Sequence, residues 1–364
     1  MNHTYTYHVV EGNARSVGKK EAQLLKQTKP DNIPFFTSLF EGKKERFTEA
    51  EALFRMNETW CPGLNDEIEG FAEELGVSPE SVVWYTATIP RSSNCSQFAI
   101  LPDRSAAGTV ICGRSYEWSL EDELTLRTIR IKGRYAHTGF SVFVFGRLDG
   151  LNEAGLWVSM TAGNPGPNLP QNRGFRFWAL VRTILDRAAT VKEAVEIASS
   201  FPLAFEVTLL TADKSGHAAL IEKGPDYQSI ARADSGVLFS TNHFTLPGVR
   251  ERQPEIHRHS QLRSQYLAGA LARGGLSSES AERILRAPFP DGLVTHYFSE
   301  WFGTLWSMYA DLSTGALKVC FGPPDLTGNE YRAFSPSDPA GTQSFPVEIP
   351  EATAPAGTWV LIPR

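Results

Sequence analysis

The chain has 364 residues, of which 41% are hydrophobic, and its formal net charge is -6. This size allows one large domain or two small ones with a well-buried core. The acidic balance argues against a nucleic-acid surface, and no apolar run reaches the roughly 18 residues of a membrane span. The N-terminus also lacks the basic and apolar segments of a secretory signal. We therefore expect a cytoplasmic protein with no nucleic-acid partner and no membrane span.

The first 94 residues are predicted to be mainly helical. The stretches FTEAEALFRMNETW and GLNDEIEGFAEELGV carry apolar residues at helical spacing, and SPESVVWYT begins with a serine N-cap and a proline at the first helical position. After Asn94 the pattern changes to strands. These are CSQFAILPD, GTVICGRSY, LTLRTIRIKG, FSVFVFGRL and, after the turn DGLNEAG, LWVSMTA.

Two helices follow, GFRFWALVRTILDRAA and VKEAVEIASSF, and in the first of them Trp178, Val181, Leu185 and Ala188 share one face. Strands return as FEVTLLTAD, HAALIEKG and GVLFSTNHF, a helical pair spans about 255–287, and GTLWSMYADLSTGALKVCFG reads as a last hairpin. Segregated blocks of this kind favour an α+β fold with antiparallel sheets covered by helices. We divide the chain into a helical N-terminal segment (1–94), a core (95–325) and an extended C-terminal arm (326–364).

Common sequence motifs do not identify the chemistry of the chain. The sequence has no GxGxxG, P-loop, HExxH or GxSxG motif, and its four cysteines (Cys61, Cys95, Cys112 and Cys320) lack CxxC spacing. His257 and His259 have i, i+2 spacing on a predicted helix, which favours a solvated basic face over a metal site. We expect no metal and no cofactor.

Four short stretches together carry a family resemblance. They are NCSQF (94–98), GRSYEW (113–118), LNEAGLWVS (151–159) and STNHF (240–244). In this order the set resembles the choloylglycine hydrolase and penicillin acyltransferase group of N-terminal-nucleophile hydrolases, over about residues 55–325. The resemblance implies a four-layer αββα sandwich whose nucleophile becomes the first residue of a mature chain, after self-cleavage of the Asn94–Cys95 bond. Residues 1–94 would then be a propeptide.

The resemblance assigns the nucleophile to Cys95. An α-amine has a pKa near 7.7 to 8.0, so a cysteine freed at an N-terminus supplies both a nucleophile and a base close to working pH. A thiol is also strongly nucleophilic and partly ionised at neutral pH. The alternative is that Cys95 is a buried core thiol in an unrelated α+β domain. Cys112 and Cys320 are interpreted as core thiols of this kind.

Three further catalytic residues follow from the resemblance. Arg114 matches the arginine beside the nucleophile, where a guanidinium favours thiolate and binds a carbonyl or carboxylate. Glu117 stands where relatives usually carry aspartate and would accept a hydrogen bond from the new α-amine. Asn242 matches the asparagine whose side-chain NH2 serves the oxyanion hole. Without the resemblance these residues read as a strand-end arginine, a surface glutamate and a turn asparagine.

Weaker assignments complete the predicted site. Asn152 would form a tight hairpin that positions the strand up to Thr161, and the backbone N–H near Ala162 is a candidate second oxyanion donor. His243 reads as a packing residue next to the site. Some relatives use a second arginine near the last hairpin, where this chain offers His296 instead.

The sequence thus predicts an amidohydrolase that cleaves a linear amide of a small N-acyl substrate through an acyl-thioester. Bile-acid conjugates, acyl-homoserine lactones, N-acyl amino acids and β-lactams all fit this chemistry. An acyltransferase that draws its acyl group from acyl-CoA is the alternative enzyme. Because Asn94 and Glu117 depart from the family pattern, a catalytically silent, unprocessed relative is the third reading. A homo-oligomer would suit the fold.

Overall fold

The computed structural model describes residues 2–38, 44–88, 94–121, 123–163 and 174–364, without the side chains of residues 37, 38, 44–48, 87 and 88. The helices of these ranges are α1 (Ala14–Thr28), α2 (Phe35–Ser38), α3 (Lys44–Trp60), α4 (Leu64–Leu75), α5 (Pro79–Thr88), α6 (Phe177–Arg187), α7 (Val191–Ser200), α8 (Arg258–Leu271) and α9 (Ser278–Arg286). The strands are β1 (Asn2–Gly12), β2 (Asn94–Ile100), β3 (Ile111–Trp118), β4 (Thr125–Ile131), β5 (His137–Val142), β6 (Gly146–Arg147), β7 (Asp149–Asn152), β8 (Leu156–Ala162), β9 (Val207–Asp213), β10 (Ala218–Lys223), β11 (Gln228–Ala233), β12 (Val237–Ser240), β13 (Glu255–His257), β14 (His296–Tyr297), β15 (Phe302–Asp311), β16 (Leu317–Phe321), β17 (Arg332–Phe334), β18 (Gly341–Glu348) and β19 (Leu361–Pro363).

The strands of the described ranges build two main sheets. The large sheet has the order β11-β10-β9-β8-β7-β5-β4-β1-β18, with β6 beside β5, and the small sheet has the order β12-β2-β3-β15-β16-β17, with β14 beside β15. The two sheets face each other through β2, β8 and β9, and the largest apolar cluster fills the space between them. Helices α6 and α7 cover the outer face of the large sheet, and α8 and α9 cover the small sheet. This is the predicted four-layer αββα sandwich of the α+β class.

The N-terminal segment contributes a strand to the core as well as helices. Strand β1, which the sequence analysis did not predict, lies inside the large sheet between β4 and β18. Its pairing with β4 is parallel, whereas the other strand pairs of the described ranges are antiparallel. Helices α1 and α4 pack closely against each other, and the glycines at their contact make this possible. A Cβ at Gly18 would overlap the carbonyl of Glu67, and one at Gly70 would overlap that of Arg15.

The C-terminal arm is also structured. Strand β18 lies beside β1 at one end of the large sheet, and β19 pairs with β13, just before helix α8. Among the described residues, none of the helices combines the length and apolar character that a membrane crossing requires.

Two local predictions can be compared directly with the structure. The turn in DGLNEAG is confirmed: it joins β7 to β8, with Gly155 at φ 86°, and the Asn152 side chain accepts a hydrogen bond from the Leu156 N–H at 3.0 Å. The single strand predicted for FSVFVFGRL is wrong. The chain leaves β5 after Val142 and turns through Phe143 and Val144, both at positive φ.

Candidate functional site

Strand β2 places Cys95 on the inner face of the small sheet. Cys95 pairs with Tyr116 of β3 and is fully buried. Because side chains alternate along a strand, Cys95, Gln97 and their partners Tyr116 and Arg114 share the face that looks toward the large sheet. The side chain of Ser96 lies on the opposite face, toward α8.

A buried ion pair holds Arg114 beside the Cys95 sulfur. It lies diagonally across from Cys95 on the same face, and its Nη2 donates to the Cys95 Sγ at 3.4 Å. Its Nε lies 2.6 Å from the Asp149 Oδ2, and its Nη1 donates to the carbonyl of Met160. Burial raises the pKa of Asp149, and the arginine acts in the opposite direction. The arrangement fixes a cationic donor beside the sulfur, as the sequence predicts.

Asn242 contacts the backbone of Cys95. It follows β12 after two residues, and its Oδ1 accepts the Cys95 N–H at 2.9 Å. Its Nδ2 lies 3.3 Å from the Ala162 carbonyl oxygen, and its own N–H donates to the Ser260 Oγ at 2.8 Å. In the intact chain the asparagine therefore holds the N–H of the peptide bond that self-cleavage would break.

Arg263 of α8 was missed by the sequence analysis. Its Nη1 donates to the Cys95 carbonyl oxygen at 2.7 Å, and its Nη2 donates to the Asn242 Oδ1 at 2.7 Å. It is fully buried, and burial lowers its pKa. A signal was available, because His259, Arg263, Leu267 and Leu271 form a buried stripe with a step of four. A cation in such a stripe needs partners in the interior.

Glu117 meets the site from the helix side of the small sheet. It pairs with Asn94, its Oε2 lies 3.3 Å from the Arg263 Nη1, and the Ser115 hydroxyl donates to its Oε1. Burial raises the pKa of Glu117 to about 7, against the opposing effect of Arg263. The sulfur of Cys95 is on the other face, and in the intact chain Arg263 lies between the Glu117 carboxylate and the Cys95 carbonyl oxygen. Its predicted contact with a free α-amine stays a prediction.

The weaker candidates have separate roles in the intact chain. Asn152 donates to the carbonyls at the end of α6, including that of Leu185 at 3.1 Å, and belongs to the β7–β8 turn. The Thr161 hydroxyl donates to the Thr241 carbonyl at 2.8 Å, which ties the end of β8 to the segment that carries Asn242. Ala162 contacts the site through its carbonyl oxygen, which accepts a hydrogen bond from the Asn242 side chain.

The histidine candidates do not reach the sulfur through any hydrogen bond that the structure shows within the described ranges. The His243 Nδ1 lies 2.7 Å from the Ser260 Oγ, and burial lowers the pKa of His243 to about 4. The His296 Nε2 lies 2.9 Å from the Asp325 Oδ2 at the other end of the hairpin region.

The prediction of a solvated basic face at His257 and His259 is wrong for His259. That ring is fully buried, its Nδ1 accepts from Arg263 at 3.0 Å, and burial holds its pKa well below the usual range. The two rings lie 5.2 Å apart and nearly parallel, because His257 ends β13 before the helix begins. Within the described ranges, no group of three or more His, Cys, Asp or Glu side chains is arranged to hold a metal ion.

The sequence also matches a known family. Residues 107–326, more than half of the chain, match the family model described as acyl-coenzyme A:6-aminopenicillanic acid acyl-transferase. The chain belongs to this acyl-transferase family. Arg114, Glu117, Asn242 and Arg263 fall inside the matched range, and Cys95 precedes it. The description of the family makes this chain an enzyme of acyl transfer.

Solved structures show more distant similarity. Penicillin V acylase from Agrobacterium tumefaciens is 19% identical over 62% of this chain and 83% of its own, with a TM-score of 0.39. A mutant conjugated bile acid hydrolase from Clostridium perfringens is 14% identical over 72% of this chain and 99% of its own, with a TM-score of 0.41. A search of curated protein sequences found no significant match. The family assignment of this acyl-transferase relative rests on the family model.

Proposed function

We propose that the protein is a cysteine amidohydrolase that cleaves a linear amide of a small N-acyl substrate after freeing Cys95 as an N-terminal nucleophile. The observation that supports this proposal is the environment of Cys95. Its sulfur lies 3.4 Å from the Arg114 Nη2, and its N–H is held 2.9 Å from the Asn242 Oδ1. One residue therefore has its nucleophilic atom beside a cation and its nitrogen beside an acceptor.

The first step would be self-cleavage of the Asn94–Cys95 bond. The Cys95 sulfur adds to the Asn94 carbonyl carbon, the C–N bond breaks as the C–S bond forms, and the thiol proton passes to the leaving nitrogen. Asn242 Oδ1 already accepts from that nitrogen and would accept from the new amine. Water then adds to the thioester, releasing Asn94 with a carboxylate and returning a proton to the sulfur.

Catalysis would repeat the same chemistry on a substrate. The freed amine takes the proton of the thiol as the sulfur attacks the substrate carbonyl, and gives a proton to the departing amine. Arg114 and Arg263 disfavour an added proton on the free amine by like-charge repulsion, so the amine stays available as a base. The side-chain NH2 of Asn242 is the donor that we assign to the oxyanion, with the Ala162 N–H as the second.

The intact chain would be an inactive precursor. Cys95 is fully buried, and Asn242 and Arg263 are both engaged with its backbone. Because a substrate carbonyl must approach the sulfur to about 3 to 3.5 Å, a buried sulfur has to become accessible before an external amide can react. Displacement of the Asn94 end after self-cleavage would open that path, while the rest of the N-terminal segment stays in the fold.

The test compares wild type with Cys95→Ala and with Cys112→Ala, which changes another fully buried thiol on the neighbouring strand. Intact mass and N-terminal sequencing should show a new N-terminus at Cys95 in wild type and in Cys112→Ala but not in Cys95→Ala. A panel of N-acyl p-nitroanilides should be hydrolysed only by the two processed proteins. Hydrolysis that survives in Cys95→Ala would contradict the proposal.

An acyltransferase is the second candidate, and the description of the matched family favours it. Both activities share the thioester and differ in whether water or an amine accepts the acyl group. With an acyl-CoA donor and 6-aminopenicillanic acid as acceptor, a transferase releases CoA faster when the amine is added and forms an N-acyl product. A hydrolase releases CoA at the same rate with or without the amine.

If wild type keeps the mass of the full-length chain under all conditions, the third hypothesis is favoured instead. In that case the protein is an unprocessed and catalytically silent relative. A cytoplasmic location and a homo-oligomer stay predictions from the sequence.

A further inference from the structure

The residue before the nucleophile has a specific partner. The Asn94 Nδ2 donates to the carbonyl oxygen of Trp301 at 3.2 Å. Trp301 follows a short 3-10 turn (Phe298–Glu300) and has a φ of 62°, in the left-handed region that bulky residues rarely adopt. The backbone thus holds an unusual conformation at the point where its carbonyl meets Asn94.

The Trp301 ring packs against a second tryptophan, Trp118. Trp118 is two residues beyond Tyr116 on β3, so it lies on the same face of the small sheet as Cys95. Its ring meets that of Trp301 edge to face at 5.1 Å. Trp118 is only 9% exposed and Trp301 is 51% exposed, so the pair leads from the nucleophile's face of the sheet to solvent.

Self-cleavage and substrate turnover pass through the same kind of intermediate. In the first, Asn94 is the acyl group on the Cys95 sulfur. In the second, the substrate supplies the acyl group, its C–N bond breaking as the C–S bond forms and its amine leaving with a proton. Since both acyl groups are joined to one sulfur, the place that holds the Asn94 side chain before cleavage is adjacent to the substrate's acyl chain afterwards.

We propose that Asn94 occupies the acyl subsite of the mature enzyme, and that this subsite selects a short acyl group ending in a carboxamide. The Trp301 carbonyl accepts the carboxamide N–H, as it accepts that of Asn94 in the intact chain. This inference rests on the proposed cysteine hydrolase function and specifies its substrate class. The carbonyl belongs to the backbone, so its preference for a donor is independent of the tryptophan side chain.

The direct test uses two matched substrates. Succinamoyl p-nitroanilide carries the Asn side chain without its α-amine, and levulinoyl p-nitroanilide replaces only the terminal NH2 by a methyl group. Because a hydrogen bond at a part-exposed acceptor is worth up to about one order of magnitude, wild type should show a kcat/KM about tenfold higher for the succinamoyl substrate. Trp301→Gly suits the positive φ and keeps the carbonyl, so it should preserve the ratio of the two kcat/KM values.

A second arm needs no substrate. Asn94→Asp keeps the shape of the side chain but turns an oxygen toward the Trp301 carbonyl, and Asn94→Ala removes the side chain. Both should self-cleave about tenfold more slowly than wild type, with Asp the slower of the two. Equal self-cleavage rates in the three proteins, or a succinamoyl to levulinoyl ratio near one, would overturn the subsite.

The outcomes separate the two proposals. A wild type that self-cleaves at Cys95 and hydrolyses both substrates equally overturns the subsite alone. A wild type that stays full length and hydrolyses neither substrate overturns the subsite and the cysteine hydrolase together.

Discussion

The carboxyl of Glu117 makes the stability of the intact chain depend on pH. Burial raises its pKa from the ordinary value of 4.5 to about 7. Between these two pH values the folded chain holds a proton that the unfolded chain has lost, so stability falls as pH rises. At about 1.4 kcal/mol for each pH unit, the difference amounts to about 3 kcal/mol, present below pH 4.5 and lost by about pH 7.

Glu117→Gln should remove this dependence. Glutamine has the shape of the protonated acid and keeps an oxygen for Arg263, which also retains its bonds to the Cys95 carbonyl and to Asn242. The substitution is therefore expected to change little at pH 5 and to stabilise the protein by about 3 kcal/mol at pH 8.

The assay is urea unfolding at pH 5 and pH 8 in a Cys95→Ala background, where every molecule keeps the same covalent structure. Glu121→Gln is the matched control, because this neighbouring glutamate is exposed. If Glu117→Gln and its background lose stability equally between pH 5 and pH 8, burial does not keep this carboxyl protonated and the reasoning fails.

Three further predictions concern the site and its precursor. Arg263→Met should slow self-cleavage and destabilise the intact chain by about 3 to 5 kcal/mol, since it leaves Glu117 buried without its cation. Self-cleavage at the wild-type rate would count against a role of Arg263 in holding the Cys95 carbonyl. Asp149→Asn should lower kcat more than it raises KM, because it loosens the arginine that points at the sulfur; a change in KM alone would argue otherwise. After self-cleavage the N-terminal fragment should co-elute with the core in size-exclusion chromatography, because β1 is an inner strand of the large sheet. Val9→Pro in the middle of that strand should release it or prevent folding, whereas Asn2→Pro at its first residue should not.

The sequence was informative where chemistry is local. The pattern after Asn94 identified the strands that carry Cys95 and Arg114, and residues two apart on neighbouring strands necessarily share a face once the strands pair. The segregated blocks of helices and strands likewise predicted a layered sandwich. The pairing that brings Asp149 to Arg114 joins two different sheets, and no short-range pattern encodes it.

The remaining differences come from long-range packing. Arg263 and His259 look like ordinary polar positions of a surface helix, and only the approach of α8 to β2 makes them interior residues. Strand β1 pairs in parallel with β4, more than 110 residues later in the chain. No strand close to it in sequence therefore indicates that this segment belongs to a sheet. The alternation of β3 puts the Glu117 carboxyl on the helix side of the small sheet, where it meets Arg263.

The position of β1 also sets an order of events during synthesis. One of its neighbours, β4, ends at residue 131, whereas the other, β18, begins at residue 341. At about 5 to 20 residues per second, a ribosome needs roughly 10 to 40 s to advance from the first neighbour to the second. Throughout that interval β1 has one unpaired edge, a hazard for association between nascent chains. Of the described strands of the large sheet, the last to emerge is the one that closes this edge.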